Sequence, residues 1–242
     1  IVSRNPSLKI VGEGAYLYQL EDLNGSTLPK IEIGDFSLLS DGKDITIYFH
    51  IKGGCNMTVY IALLRGINVG GKNIIKMTDL KRVFESIELY EVKTYIQSGN
   101  VLFKSNEAEE SLRNKIEHKI EAVFRTPIKI ILRTSTELEQ IILNCPFSKD
   151  EVTEAETLSE VVSLYVALLT HNPAKDKIEC IDIYRSESDK YQIVGRDVYL
   201  LFHHSISKSK LANNLYKLNV STTVRNWKTL SKLAALARAM EI

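Results

Sequence analysis

The feature that most constrains the fold of this chain is a pattern of strands and helices that occurs twice. From Thr58 onward, short apolar runs of strand length alternate with stretches whose apolar residues recur at helical spacing. The order is β-α-β-β-α-β, and it begins again near Leu164 with YVALL at 165–169, which matches YIALL at 60–64. A repeated unit of this kind predicts an α+β protein with two ferredoxin-like (α-β plait) subdomains.

The first copy predicts strands at 59–64, 92–97, 101–104 and 128–132, with helices at 78–87 and around 112–123. The second copy predicts strands at 164–169, 191–194, 198–203 and 222–224, with helices at 175–183 and 209–218 and a closing helix at 229–240. Between the copies, Thr134 and Glu137 have the spacing of a capping box, which would begin a linking helix. An acidic loop or helix follows at 150–160.

Residues 1–52 have a different composition and predict about four short strands with no helix. Tyr, Ile and Phe are concentrated at 15–20 and 44–51, and turn dipeptides occur at Asn24-Gly25 and Asp41-Gly42. We therefore expect a β-rich N-terminal segment or extension at 1–56, a first plait at 57–134 and a linking helix with an acidic loop at 135–160. The second plait with its closing helix would occupy 161–242.

Charge is distributed unevenly along a chain whose net charge is only +1. Residues 198–240 contain no acid, and seven basic residues lie there: Lys208, Lys210, Lys217, Arg225, Lys228, Lys232 and Arg238. A run of one sign attracts anions, including phosphates. The alternatives are a solvated face or a face that pairs with the acidic stretch at 150–160.

A glycine-rich segment follows the first strand of the first copy. Its spacing, Gly66 to Gly71 and then Lys72, satisfies the first seven positions of a phosphate-binding loop. Asn73 replaces the hydroxyl residue that would bind Mg²⁺, and the next helix begins several residues later. We therefore expect either an anion-binding nest of backbone N–H groups or a structural turn.

Other polar residues in turns and at helix starts complete the candidate site. The turn at Gln97-Ser98-Gly99-Asn100 offers donors for a ligand beside Arg65, or is simply a good hairpin. The candidate ligand-binding residues are Arg65, Asn68, Gly70, Gly71, Lys72, Gln97, Ser98, Asn100, Lys208, Lys210 and Arg225. Catalytic residues cannot be assigned. The spacing of His and Cys predicts no metal site, and we expect no cofactor.

Two aromatic residues on the central strands of the first plait suggest a second possibility. RNA-recognition plaits stack bases on aromatic side chains at such positions, here Tyr60 and Phe103. The third strand lacks the glycine- and aromatic-rich run of that class. Because side chains alternate along a strand, the same two residues are equally suited to a core beneath the helices.

Several separated motifs resemble the bacterial DUF1697 family, a family of unknown function. They are YIALLRGINVGGKN at 60–73, YIQSGNV at 95–101, NCPF at 144–147, SKL at 209–211 and TTVRNW at 222–227. Val224 and Lys228 depart from the family pattern. The resemblance covers residues 57–242 and implies two plait-like subdomains in a bacterial cytoplasmic protein. It implies no activity and no catalytic residues.

These observations favour a protein that binds a phosphate-bearing partner, either a nucleotide-like ligand or nucleic acid. One alternative is a metal-independent enzyme that acts on a small anionic substrate. The other is a protein-interaction or dimerisation module.

The opening residues lack the pattern of a secretory leader, and no apolar stretch has the length of a membrane span. We expect a cytoplasmic location and no membrane partner, and the oligomeric state is open.

Overall fold

The computed structural model describes residues 17–18, 31–40, 45–51, 57–71, 73–159 and 161–241. The chain forms two compact units, Ile1–Asn56 and Met57–Ile242. In the first unit, β1 (Leu17–Tyr18), β2 (Ile31–Ser40) and β3 (Ile45–Ile51) form an antiparallel sheet in the order β1-β2-β3. The turn dipeptides at 24–25 and 41–42 lie outside the described residues.

The second unit begins with a β-α-β-β-α-β plait. Its elements are β4 (Thr58–Leu64), α1 (Met77–Glu85), β5 (Tyr90–Tyr95), β6 (Asn100–Ser105), α2 (Glu109–Phe124) and β7 (Ile130–Thr134). The sheet is antiparallel with the order β5-β6-β4-β7, which is the strand order of a ferredoxin-like fold. Two linking helices follow, α3 (Ser135–Leu143) and α4 (Lys149–Ser159).

The second plait repeats this topology. Its elements are β8 (Leu164–Leu169), α5 (Lys175–Asp182), β9 (Asp189–Val194), β10 (Asp197–Phe202), the short α6 (Lys210–Asn213), β11 (Thr222–Asn226) and the closing α7 (Trp227–Arg238). The strand order is β11-β8-β10-β9. The predicted α+β class with two ferredoxin-like plaits is therefore confirmed.

Three apolar cores hold the second unit together, and each arises from the alternation of side chains along a strand. One face of the first sheet packs on α1 and α2, and one face of the second sheet packs on α5 and the segment around α6. The remaining faces of both sheets share a middle core with α3 and α7. Because this core takes residues from both plaits, the central strands β4, β6, β8 and β10 are buried on both faces.

One predicted helix differs from the structure. The pattern at 209–218 predicts a continuous helix, but the chain forms a 3₁₀ turn (Ile206–Lys208), the single-turn α6 and a second 3₁₀ turn (Leu215–Leu218). Leu211, Leu215 and Leu218 keep their helical spacing and are buried. The pattern identified the buried side of the segment but not its breaks, since Ser and Asn favour caps and turns.

Candidate functional site

The glycine loop, residues 65–76, follows β4, and the side chains of two asparagines hold its base. Asn68 Oδ1 accepts a hydrogen bond from Ile75 N–H at 2.8 Å, and Asn68 Nδ2 donates to the carbonyl oxygens of Ile75 and Gln97 at 2.9 and 2.8 Å. Asn73 Nδ2 donates to Gly66 O at 3.0 Å. These bonds fix the base of the loop, so Asn68 has a structural role.

The tip of the glycine loop is exposed. Gly70 and Gly71 have φ values of +59° and +75°, a backbone conformation that glycine adopts at no steric cost. Arg65 is exposed at the start of the loop. Lys72 lies outside the described residues. The exposed part of the loop therefore includes the glycine pair, with an arginine at the loop base.

The β5–β6 turn, residues 96–99, lies against the glycine loop. Gly99 has φ +75°, and a Cβ atom there would lie 2.6 Å from Ile67 Cδ1 and 2.9 Å from Leu64 Cβ. Ile96 has φ +48°, which is rare for a β-branched residue, and is 48% exposed. Gln97 is exposed, and its carbonyl oxygen holds Asn68. The motif at 97–100 thus joins two loops into one surface.

Arg225 is buried between the two plaits, with 8% of its surface exposed. Its guanidinium donates to Asn100 Oδ1 at 2.7 Å, to the carbonyl oxygens of Leu64 and Ser98 at 2.9 Å, and to Thr223 Oγ1 at 2.8 Å. Burial lowers the pKa of the Arg225 guanidinium to about 10. Every nitrogen of this guanidinium therefore donates within the protein, and the expectation that Arg225 reaches a phosphate needs correction.

Arg133, on the last strand of the first plait, makes the equivalent contacts with the second plait. It pairs with Ile61 on β4, as Arg225 pairs with Val166 on β8. Arg133 Nη2 donates to the carbonyl oxygens of Leu169 and Arg196 at 2.9 and 3.1 Å, and to Asp197 Oδ1 at 2.7 Å. Each plait thus extends one buried arginine from its last strand to the hairpin of the other. Our sequence analysis did not identify Arg133, although the alignment of the two copies places it opposite Arg225.

The two arginines differ in charge compensation, because Asp197 occupies the position that Asn100 has in the first plait. Burial lowers the pKa of Arg133 and raises the pKa of Asp197, since desolvation of this pair outweighs its mutual attraction. Arg225 has only neutral partners. Asn100 also donates to Tyr95 O and Ser98 Oγ, both at 3.0 Å, and is fully buried. Asn100 therefore belongs to the interface between the plaits.

Lys208 and Lys210 lie elsewhere, in the segment that covers the outer face of the second sheet. Both are exposed, and Ser209 between them is buried and donates to Asp189 Oδ2 at 2.8 Å. In the described part of the chain, no hydrogen bond or ion pair joins this segment to the glycine loop. The structure therefore does not bring all candidates together. Arg65, Gly70 and Gly71 lie in the glycine loop, whose base contacts the turn that contains Gln97, and the two lysines lie in a separate segment.

Tyr60 and Phe103 face the helices of the first plait. Both are buried in the core with α1 and α2, and their ring centroids lie 5.7 Å apart. The opposite face of this sheet is covered by the middle core. The core interpretation of these aromatics is therefore confirmed, and base stacking on an open sheet face is excluded for this pair.

Several ionisable groups have shifted pKa values, and they belong to internal contacts. Burial lowers the pKa of Arg196, but the hydrogen bonds that it donates to Glu109 and Glu137 outweigh this effect and raise the pKa overall. Burial also raises the pKa of Tyr199, whose hydroxyl donates to Ile141 O at 2.9 Å.

Among the described residues, no group of three or more His, Cys, Asp or Glu could hold a metal ion. No helix there is long and apolar enough to cross a bilayer.

Comparisons with known proteins agree with the fold. A search of curated proteins found no match. Among solved structures, the chain is similar to the conserved bacterial protein SP0830 from Streptococcus pneumoniae, with 26% identity and a TM-score of 0.58. That similarity covers 75% of this chain and 99% of the other. The family model described as "Protein of unknown function (DUF1697)" matches residues 57–199. The chain therefore belongs to the DUF1697 family.

Proposed function

We propose that the protein binds a small phosphate-bearing ligand at the surface formed by the glycine loop and the β5–β6 turn. The observation that carries this proposal is the Asn68 side chain, which fixes the base of the loop while Gly70 and Gly71 stay exposed. A loop whose base is already held by hydrogen bonds loses less entropy when an anion binds than a loop that is not held.

The charge and the polar groups around the loop support an anionic ligand. In the described residues, no ion pair involves Arg65, so its guanidinium can meet an anion at the base of the loop. Lys72 follows the glycine pair in sequence, and the exposed amide of Gln97 lies next to the loop base. Arginine suits phosphate because its planar donors match two oxygens.

Calorimetric titration tests this function. Inorganic phosphate, nucleotides and sugar phosphates are titrated into the full chain at low and high salt. We expect at least one ligand to bind, and the Arg65→Gln/Lys72→Gln variant to bind it about tenfold or more weakly, since two charge-assisted contacts are lost.

The matched control is Lys81→Gln/Arg82→Gln, which removes two exposed cations from α1 of the same plait. It should bind within about twofold of the unmodified chain, because surface charges away from a site contribute little. Equal affinity in the Arg65→Gln/Lys72→Gln variant, or no binding by any of these ligands, rejects the proposal.

A further inference from the structure

We infer that the second plait has a separate surface for single-stranded nucleic acid, on the polar side of the segment from Lys208 to Lys217. The surface belongs to a longer segment, residues 206–218, which we call the basic layer and which covers the outer face of the second sheet. It is independent of the glycine loop. Its chemistry combines cations for phosphates with an exposed aromatic ring for a base.

The side chains of the basic layer separate into two faces. Leu211, Leu215 and Leu218 are buried against the sheet. Lys208, Lys210, Asn213 and Tyr216 are exposed. The buried leucines therefore pack on the sheet, while Lys208, Lys210 and Tyr216 are exposed on the surface of the same segment.

Tyr216 is the stacking group of this surface. It is 65% exposed, a large fraction for a tyrosine that has an apolar core directly beneath its own segment. Beside it, Lys217 Nζ lies 4.9 Å from the centre of the Tyr184 ring and contacts the Tyr184 hydroxyl. Aromatic rings next to cations are the arrangement with which sequence-tolerant single-strand binders hold bases and backbone together.

The first plait provides an internal comparison. Its α2 occupies the same topological position, between the third and fourth strands, and has mixed charge. The α2 charges are Glu109, Glu110, Arg113, Lys115, Glu117, Lys119 and Glu121. The basic layer contains three lysines and no acid. Since α2 and the basic layer cover equivalent sheet faces, packing alone does not require the absence of acids.

Nearby carboxylates do not cancel the positive charge of the layer. α5 packs beside it and contains Asp176, Glu179 and Asp182. Asp176 is paired with Lys177, and Asp182 is paired with Arg185 and accepts from Tyr191. The lysines of the layer therefore lie near two further carboxylates, the exposed Glu179 of α5 and the buried Asp189, which accepts from Ser209 and lies 2.8 Å from His204 Nε2.

Fluorescence anisotropy with labelled oligonucleotides tests this inference. We expect the full chain to bind oligothymidine and oligouridine of about 12 nucleotides, a length within the range of known single-strand sites. With about three phosphate contacts, the affinity should fall roughly 20-fold between about 50 and 200 mM salt.

Three variants separate the contribution of the lysine charges from that of the tyrosine ring. Lys208→Gln/Lys210→Gln should weaken binding and flatten its salt dependence, because about two of the three phosphate contacts are lost. Tyr216→Ala should weaken binding about tenfold, whereas Tyr216→Phe, which keeps the stacking ring, should stay within about twofold. The matched control Lys93→Gln/Lys149→Gln removes two exposed lysines outside the basic layer and should leave affinity unchanged.

Three results would overturn the inference: no oligonucleotide binding at about 50 mM salt, equal loss in the control and in Lys208→Gln/Lys210→Gln, or binding to anionic vesicles but not to oligonucleotides. The Arg65→Gln/Lys72→Gln variant distinguishes this surface from the proposed phosphate site. It should keep its oligonucleotide affinity even if it loses the small ligand.

Discussion

Single residues in this protein have roles that their chemistry alone does not reveal. Arg225 and Asn100 are polar and lie in motifs that suggest ligand binding, yet both are buried and bonded to each other. Gly99 is required because Ile67 and Leu64 leave no space for a Cβ atom. In contrast, Gly70 and Gly71 face open space. At this scale, the surroundings decide whether a glycine or an arginine serves structure or remains available to a ligand.

Gly99→Ala should destabilise the protein by about 2–4 kcal/mol, because alanine is strained at positive φ and its methyl group would press on Ile67 and Leu64. Gly70→Ala is the matched control, since its φ is also positive but nothing lies within 4 Å. The control should lose only about 1 kcal/mol. Urea denaturation measures both, and equal losses would show that the close packing at Gly99 has no energetic effect.

Arg225→Met should cost about 3–5 kcal/mol in unfolding free energy, because it leaves Asn100 and several buried carbonyl oxygens without a donor. Arg133→Met should cost a similar amount, since it also leaves Asp197 without its cation. Arg65→Met, at an exposed position, should change stability by less than about 0.5 kcal/mol. Comparable stability of Arg65→Met and Arg225→Met in chemical denaturation would contradict the structural role of Arg225.

At the scale of elements, local signals predicted most strands and helices, and one helix start in detail. Thr134 accepts from Glu137 N–H at 3.1 Å, and Glu137 Oε2 accepts from Thr134 N–H at 2.8 Å, so the predicted capping box is present. The acidic stretch after α3, for which a loop and a helix were both open, forms α4. Predictions were weakest around α6, where polar residues interrupt the helix.

Glu137 should make stability depend on pH at the start of α3. Burial raises its pKa, but bonds from Thr134 N–H and Arg196 outweigh burial and lower it overall. A lowered folded-state pKa means that Glu137 stabilises the fold above its unfolded pKa of about 4.3, and that this stabilisation is lost as pH falls through the folded value.

Glu137→Gln should therefore be less stable than the unmodified chain at neutral pH, and the difference should shrink as the pH falls below about 4. Urea denaturation at a series of pH values checks this. Glu139→Gln, on the same helix, is the control. A stability difference that is the same at every pH would show that the charge of Glu137 is not responsible.

At the scale of the whole molecule, the second unit is two equivalent plaits joined by reciprocal contacts. Each contributes one buried arginine to the other, and both sheets share a middle core with α3 and α7. The interface resembles that of a two-fold dimer, in which the same patch is used twice. A ligand site in a cleft between the plaits, lined by Arg225, is therefore not part of our proposal.

Because the core is shared, residues 57–242 should unfold in one cooperative transition. Trp227 is the single tryptophan and packs on the middle core, so its fluorescence reports that region. Hydrogen exchange of the β6 and β10 amides reports the two sheets separately. The amide openings of both strands and the fluorescence transition should give the same unfolding free energy. A plait that opens at a lower free energy than the other would contradict the shared core.

The sequence by itself determined the repeated strand and helix order, the capping box at Thr134 and the membership of residues 57–199 in a known family, because local spacing carries this information. Only the tertiary structure decided that Arg225 bonds within the protein and that Tyr60 and Phe103 face the helices. The physical reason is that burial and hydrogen-bond partners depend on segments distant in the chain. Arg225 meets Leu64 across 161 positions, and no local pattern encodes that contact.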